Sequence, residues 1–136
     1  MSADGDAVDV VRAIYEAMAA RDLHGILQRL ADDVVVTQDA RLPWGGRFEG
    51  HDGFATFALT LAGTIDSAVT HEALFAADDE VVQVGRTRGT VRASGVAFDI
   101  PEVHRWTVVE GRAVRAHFAI DTPAMLAALG DSDPSS

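Results

Sequence analysis

Glu102 and His104 are the residues whose types and spacing most clearly suit proton transfer. They sit in the run Val96-Ala-Phe-Asp-Ile-Pro-Glu-Val-His-Arg-Trp-Thr-Val-Val109. Strand side chains alternate between faces, so Val96, Phe98, Ile100, Glu102, His104, Trp106 and Val108 share one face, apolar except for this carboxyl and imidazole. Burying either group unpartnered costs several kcal/mol, so the pair serves either chemistry or a polar network in the core. Asp121 is the leading candidate for the base itself. It ends the last apolar strand and precedes Thr122-Pro123, where an acid acts as a base, with His104 as its donor or orienting partner, or as a helix cap. Tyr15, Asp39, Trp44, Trp106, His117 and Phe118 are the residues expected to line a pocket around these groups. His24, His51 and His71 read as isolated surface residues, and no His-Glu-x-x-His spacing occurs. No glycine-rich phosphate loop precedes a helix either, so the expectation is no metal and no cofactor.

The elements that must hold these groups follow from periodicity. Val8, Val11, Ile14, Tyr15 and Met18 recur at helical spacing, and Asp22 can cap a second helix carrying Leu23, Ile26, Leu27 and Leu30. A short strand Val34–Val36 follows, then an irregular Gly-rich stretch from Asp39 to Gly53. Asp52 is positioned to cap a third helix with Phe54, Phe57, Ala58 and Leu61 on one side. From Ile65 the period becomes two. Strands are expected at about 67–76, 81–93, 96–109 and 112–121, joined by tight turns that include Glu110-Gly111. A last helix, Ala124–Leu129, ends at Gly130. Three helices before a run of antiparallel strands make an α+β domain over residues 7–130, with a flexible leader 1–6 and a flexible tail 131–136.

Composition limits the partners. The 136 residues include 21 acidic side chains and 11 Arg and Lys together, giving a net charge of −10, and the basic residues are scattered. Nucleic acid and anionic membrane are therefore not expected partners. Without cysteine there is no thiol chemistry or zinc-thiolate site. No long apolar run and no basic-then-apolar leader occurs, which suggests a cytoplasmic protein.

The helix pair ending in Ala31-Asp32-Asp33-Val34-Val35-Val36 is one part of a larger pattern. With Leu42-Pro-Trp-Gly-Gly-Arg-Phe-Glu-Gly-His-Asp-Gly53 and the ending Val108-Val-Glu-Gly-Arg-Ala-Val114 and Phe118-Ala-Ile-Asp-Thr122, it resembles the SnoaL-like branch of the ketosteroid isomerase and nuclear transport factor two superfamily. That resemblance implies a cone-shaped curved antiparallel sheet packed on three N-terminal helices, enclosing a pocket, with a short C-terminal helix. It implies a homodimer as well. An isomerase base would fall on Gln38 with Asp39 one residue late, the oxyanion-hole Tyr on Ile14 beside Tyr15, and the second acid on Val103 beside Glu102. These offsets argue against a steroid isomerase. Limonene epoxide hydrolases need carboxylates where this chain has Arg86-Thr-Arg88-Gly89. SnoaL-type polyketide cyclases use an aspartate near the end of the last strand, which Asp121 matches.

Two functions are consistent with this sequence. One is a cofactor-independent acid/base enzyme, of polyketide cyclase, isomerase or dehydratase (lyase) type, acting on a small, mostly apolar carbonyl compound in a closed pocket. The other is a non-catalytic small-molecule-binding or assembly module of the same fold. Dimerisation is expected through the outer sheet face, read as Val81, Val91, Val103 and Val109 among Arg105 and Thr107.

Overall fold

The helical spacing near the N-terminus becomes α1 (Ala3–Ala19), which buries Val10, Val11, Ile14 and Tyr15 against the sheet. In the computed structural model the described residues are 3–130, so the segment read as a flexible tail, 131–136, lies outside them. Helix α1 starts inside the segment read as a leader. Next come α2 (Leu23–Gln28), β1 (Leu30–Gln38), β2 (Gly46–Glu49), α3 (Gly50–Thr64), β3 (Ile65–Ala77), β4 (Glu80–Val91), β5 (Ala97–Val109), β6 (Arg112–Ile120) and α4 (Thr122–Ala128). The fold is α+β: the N-terminal helices pack on one six-stranded, mostly antiparallel sheet of order β2-β1-β6-β5-β4-β3.

Several elements differ from the sequence reading. Leu30 is the first residue of β1 rather than the end of α2, because it pairs with Ala113 and is fully buried, a gain that one extra helical turn cannot match. The short strand read at Val34–Val36 is borne out and extends over the whole of β1, parallel to β6, and the strand not expected is β2, which occupies part of the stretch read as irregular. Only four residues long and flanked by glycines, β2 carries almost no periodic signal. Helix α3 begins at Gly50 with no side-chain cap, so Asp52 falls in its first turn. The turn at Glu110-Gly111 is as expected: both residues have positive φ, 52° and 79°, the pair a two-residue hairpin loop requires.

The pairing of β3 with β4 is interrupted at one place. Register slips between His71 and Ala73, leaving Glu72 bulged opposite β4. At Gly85 and Gly89, any Cβ would strike the carbonyl oxygens of Thr70 and Asp66, so glycine is what lets β3 come this close.

Register also decides which face each residue joins. Val81 pairs with Trp106 and Gly85 with Glu102, so odd residues of β4 share the inner face with even residues of β5. Val81 and Val91, expected on the outer face, are therefore inside, at 1% and 4% exposure. Val103 and Val109 are exposed as expected, and Phe75 joins them on that side.

Candidate functional site

The alternation read in β5 is borne out by burial: Phe98, Ile100, Glu102, His104 and Trp106 are all buried, and the residues between them are exposed up to Arg105. Tyr15 reaches this row from α1. The indole Nε1–H of Trp106 donates to the Tyr15 hydroxyl oxygen at 3.0 Å, and Tyr15 Oη lies 2.6 Å from His104 Nδ1. An indole can only donate, and the proton between Tyr15 Oη and His104 Nδ1 sits on one or the other according to the imidazole tautomer. His104 Nε2 in turn stands 3.3 Å from Glu102 Oε2, without the alignment of a hydrogen bond. Rings close the group. His104 stacks along Tyr15 and meets Phe118 edge-on at 4.8 Å, while Trp106 meets Phe118 at 5.3 Å.

Burial sets the protonation of this row. It pushes the Glu102 carboxyl up to about 7 and, with the neighbouring His71 and His117, pushes His104 down to about 3. The Tyr15 hydroxyl is raised by the same desolvation, against the lowering effect of Trp106, and stays protonated. Near neutrality the row is uncharged except for the fraction of Glu102 that has lost its proton.

Two buried polar atoms are left without a hydrogen bond: Glu102 Oε2 and Gln83 Oε1. Gln83 sits on β4 directly across from His104 and is fully buried. Its Nε2 lies 3.2 Å from Nδ1 of His71, whose ring meets Tyr15 edge-on at 4.7 Å. His71 is exposed, as read, and its ring also borders the cluster, because α1 lies across β3. Sequence reasoning missed Gln83. Its signal was the register of β4 on β5, which no single segment reveals.

The other expected site residues lie elsewhere. Trp44 is buried, with its Nε1–H on Gln38 Oε1 at 2.8 Å, so the position of the isomerase base is held by a neutral, bonded amide. His117 faces outward and pairs with Thr37 at 2.7 Å. Asp39 binds Arg41 in an ion pair at 2.7 Å, whose hydrogen bonds hold its carboxyl down at about 2. Asp121 is exposed and caps α4, accepting from the Ala124 N–H at 3.2 Å. Replacing Asp121 by Ala is therefore expected to lower unfolding free energy by about 1 kcal/mol in urea titrations. Ligand binding by the buried row should not change.

Two clefts open to solvent, where the sequence reading expected a closed chamber. One, of about 250 Å³, is lined by outward-facing Val84, Arg86, Pro101, Val103 and Ala119 together with Glu102, whose side chain is 1% exposed. The other, of about 420 Å³, lies between Pro43, the end of α3, Val91, Ala93, Leu126 and Leu129, with no ionisable side chain in its lining. Val91 is six residues along β4 from Gly85, the partner of Glu102, or roughly 20 Å of strand. Between helices and sheet, Trp106, Tyr15, Phe57 and Phe118 fill the space instead. Among the described residues no three His, Asp or Glu side chains converge as a metal ion would require, and no helix is long and apolar enough to cross a membrane.

Comparison with known proteins gives a consistent picture of relatedness. A family model described as a SnoaL-like domain matches residues 11–116. An NTF2-like protein of unknown function from Burkholderia pseudomallei is 29% identical, with TM-score 0.86 over 95% of this chain and 98% of its own. TerC, crystallised with polyporic acid, is 24% identical, with TM-score 0.83 over 92% of this chain and 98% of its own. A proposed polyketide cyclase from Xanthomonas campestris is 22% identical, with TM-score 0.84 over 94% and 99%. The last two likenesses show the fold alone. None of the curated proteins matches the chain.

Proposed function

This chain belongs to the SnoaL-like domain family, and from that premise we propose that it is a cofactor-independent acid/base enzyme acting on a small, mostly apolar carbonyl compound. Relatives named as a polyketide cyclase and bound to polyporic acid are in keeping with this reaction class. The observation that carries the reading is Glu102 itself. A carboxyl that is buried on an apolar face, lacks a hydrogen bond on Oε2 and is pushed up to about 7 brings the fold no stability once it ionises. It does have the proton affinity that a general acid/base needs at neutral pH.

In this reading the Glu102 carboxylate takes a proton from the carbon beside the substrate carbonyl, giving an enolate and a neutral carboxylic acid. That acid then returns the proton, to another carbon in an isomerase or to a departing hydroxyl in a dehydratase. Neutral His104, oriented by Tyr15 and Trp106, positions the carboxyl and remains uncharged throughout. The test is deuterium exchange at the carbons beside the carbonyl of 1-indanone and 2-tetralone, followed by NMR in D₂O. Exchange faster than in buffer is expected.

A second reading is favoured by the burial of the Glu102 side chain, which is 1% exposed and so withdrawn from solvent. It is a non-catalytic binding module, and ketones that bind without exchanging would establish it.

Pairing of two copies through the outer sheet face is part of the same proposal. Phe75, Val103 and Val109 are 45%, 41% and 51% exposed there, with exposed Arg105 between the two valines on β5. Sedimentation at micromolar concentration is expected to give a dimer, and Val103→Glu a monomer. A monomeric wild-type protein would overturn the pairing.

A further inference from the structure

Helices and sheet close over Glu102 and His104, and one segment of that closure is fastened differently from the rest. Residues 39–45, between β1 and β2, keep their backbone hydrogen bonds to themselves: the Leu42 N–H donates to the Asp39 carbonyl at 3.1 Å and the Gly45 N–H to that of Leu42 at 2.9 Å. Arg41 pairs with Asp39 inside the same segment. A Cβ on Gly45 would strike the Asp39 carbonyl oxygen, so the two ends touch and the segment is a closed loop. Among the described residues, its one hydrogen bond to the body of the fold runs from Trp44 Nε1–H to Gln38 Oε1, at 2.8 Å. Otherwise it is held by two buried side chains, Leu42 and Trp44.

Trp44 stands at the end of the buried row. Register places Gln38 beside Phe118, Phe118 beside His104 and His104 beside Gln83, one line across the inner face of four strands. Bonded to Gln38, the indole caps the β1 end of that line. Pro43, its neighbour in the chain, forms part of the wall of the apolar cleft of about 420 Å³, with Gly63, Leu126 and Leu129. A Cβ on Gly63 would meet nothing within 4 Å, so the cleft has room on that side. The indole therefore has two apolar places next to one loop, the core and the cleft. Exchanging one for the other breaks a single hydrogen bond, because the loop's internal bonds travel with it.

We propose that the loop Asp39–Gly45 is a gate: Trp44 leaves the core for the cleft, and the place it vacates beside Gln38 and Phe118 opens the row to solvent. The proposal rests on the acid/base reading of Glu102 and supplies the route by which a neutral ligand reaches a carboxyl that the closed fold withdraws. Without ligand the closed state prevails, since opening leaves a void where the indole was packed. A ring of about an indole's size fills that void and holds the gate open.

The two tryptophans provide the test. Trp44 and Trp106 are 2% and 0% exposed, and the N–H of each makes one hydrogen bond, so a rigid closed fold would protect both indoles alike. In D₂O, followed by NMR, the gate is expected to make the Trp44 indole N–H exchange at least about a hundredfold faster than that of Trp106. The Trp44 rate should be insensitive to low urea, whereas the Trp106 rate should climb with it, because only global unfolding exposes much surface. Gly63→Leu fills the cleft and should slow exchange at Trp44 by at least about tenfold relative to Gly63→Ala, which raises helix propensity without reaching into the cleft. Exchange of deuterium into 2-tetralone should fall in Gly63→Leu as well. Should Gly63→Leu not fold, the wild-type comparison decides alone. Indole rates within about threefold of one another, or a Trp44 rate that climbs with urea in parallel with Trp106, would overturn the gate. Exchange at Trp44 no slower in Gly63→Leu than in Gly63→Ala would overturn the cleft as the indole's second place, and undiminished ketone exchange in Gly63→Leu would overturn the route. Failure of the enzyme reading looks different: Trp44 then exchanges fast while no ketone takes up deuterium.

Discussion

Glu102→Gln is expected to turn a level stretch of the stability–pH curve into a rising one, and His104→Phe to turn it into a falling one. Burial raises Glu102 from 4.5 to about 7, so the folded chain keeps a proton that the unfolded chain loses. That stabilisation is complete below pH 4.5 and disappears as pH climbs through 7. His104 is lowered from 6.5 to about 3, so the folded chain refuses a proton that the unfolded chain takes. Its contribution is complete above pH 6.5 and lost as pH falls toward 3. Between pH 4.5 and 6.5 the two slopes, each about 1.4 kcal/mol per pH unit, oppose one another and cancel. Removing Glu102 leaves the His104 slope, a rise of about 3 kcal/mol over that window relative to wild type. Removing His104 leaves the Glu102 slope, a fall of about the same size. Urea titrations of the three proteins across the window read these differences directly, because every other titrating group is common to all three. Variants whose curves run parallel to wild type would show that neither group is shifted by burial.

Much of the fold was legible because its periodic signals are long. The alternating run of β5 identified the inner row Phe98 to Trp106, and α1 was visible from Val11, Ile14 and Tyr15. What failed was short or depended on pairing. Four residues of β2 carry too little pattern to be told from a loop, and Leu30 satisfies a helical period equally well as it begins a strand. Val81 and Val91 were assigned to the wrong face because alternation within a strand says nothing about which parity faces the helices. Only the register of β4 on β5 does.

The site was legible in part for the same reason. Glu102, His104, Tyr15, Trp106 and Phe118 were all picked out, and the structure brings them together. Asp121 was given the chief catalytic role on the strength of a single position at the end of β6. The structure puts it at the head of α4, where the local sequence Asp-Thr-Pro already accounts for it as a cap. Gln83 escaped notice because a glutamine in an otherwise ordinary strand has no local signature, and the contact of exposed His71 with Tyr15 comes from the packing of α1 across β3.

Glu102→Gln is also expected to slow ketone exchange by at least about a hundredfold while binding of the ketone stays within a few-fold, since positioned general bases contribute about 10²–10⁴ in rate. Gln keeps the shape of the side chain and one acceptor, so a loss confined to rate cannot be attributed to a collapsed site. The pH profile separates the candidates further. If Glu102 is the base, the rate rises with pH as the carboxyl ionises and levels off above about 7. A base at His104, neutral down to about pH 3, would instead give a flat profile from pH 5 upward. His104→Phe should therefore lower the rate less than Glu102→Gln and move the midpoint of the profile, as expected of a residue that positions the carboxyl. Full loss of exchange in Asp121→Asn with normal exchange in Glu102→Gln would transfer the base to the head of α4, and the buried row would then be structural.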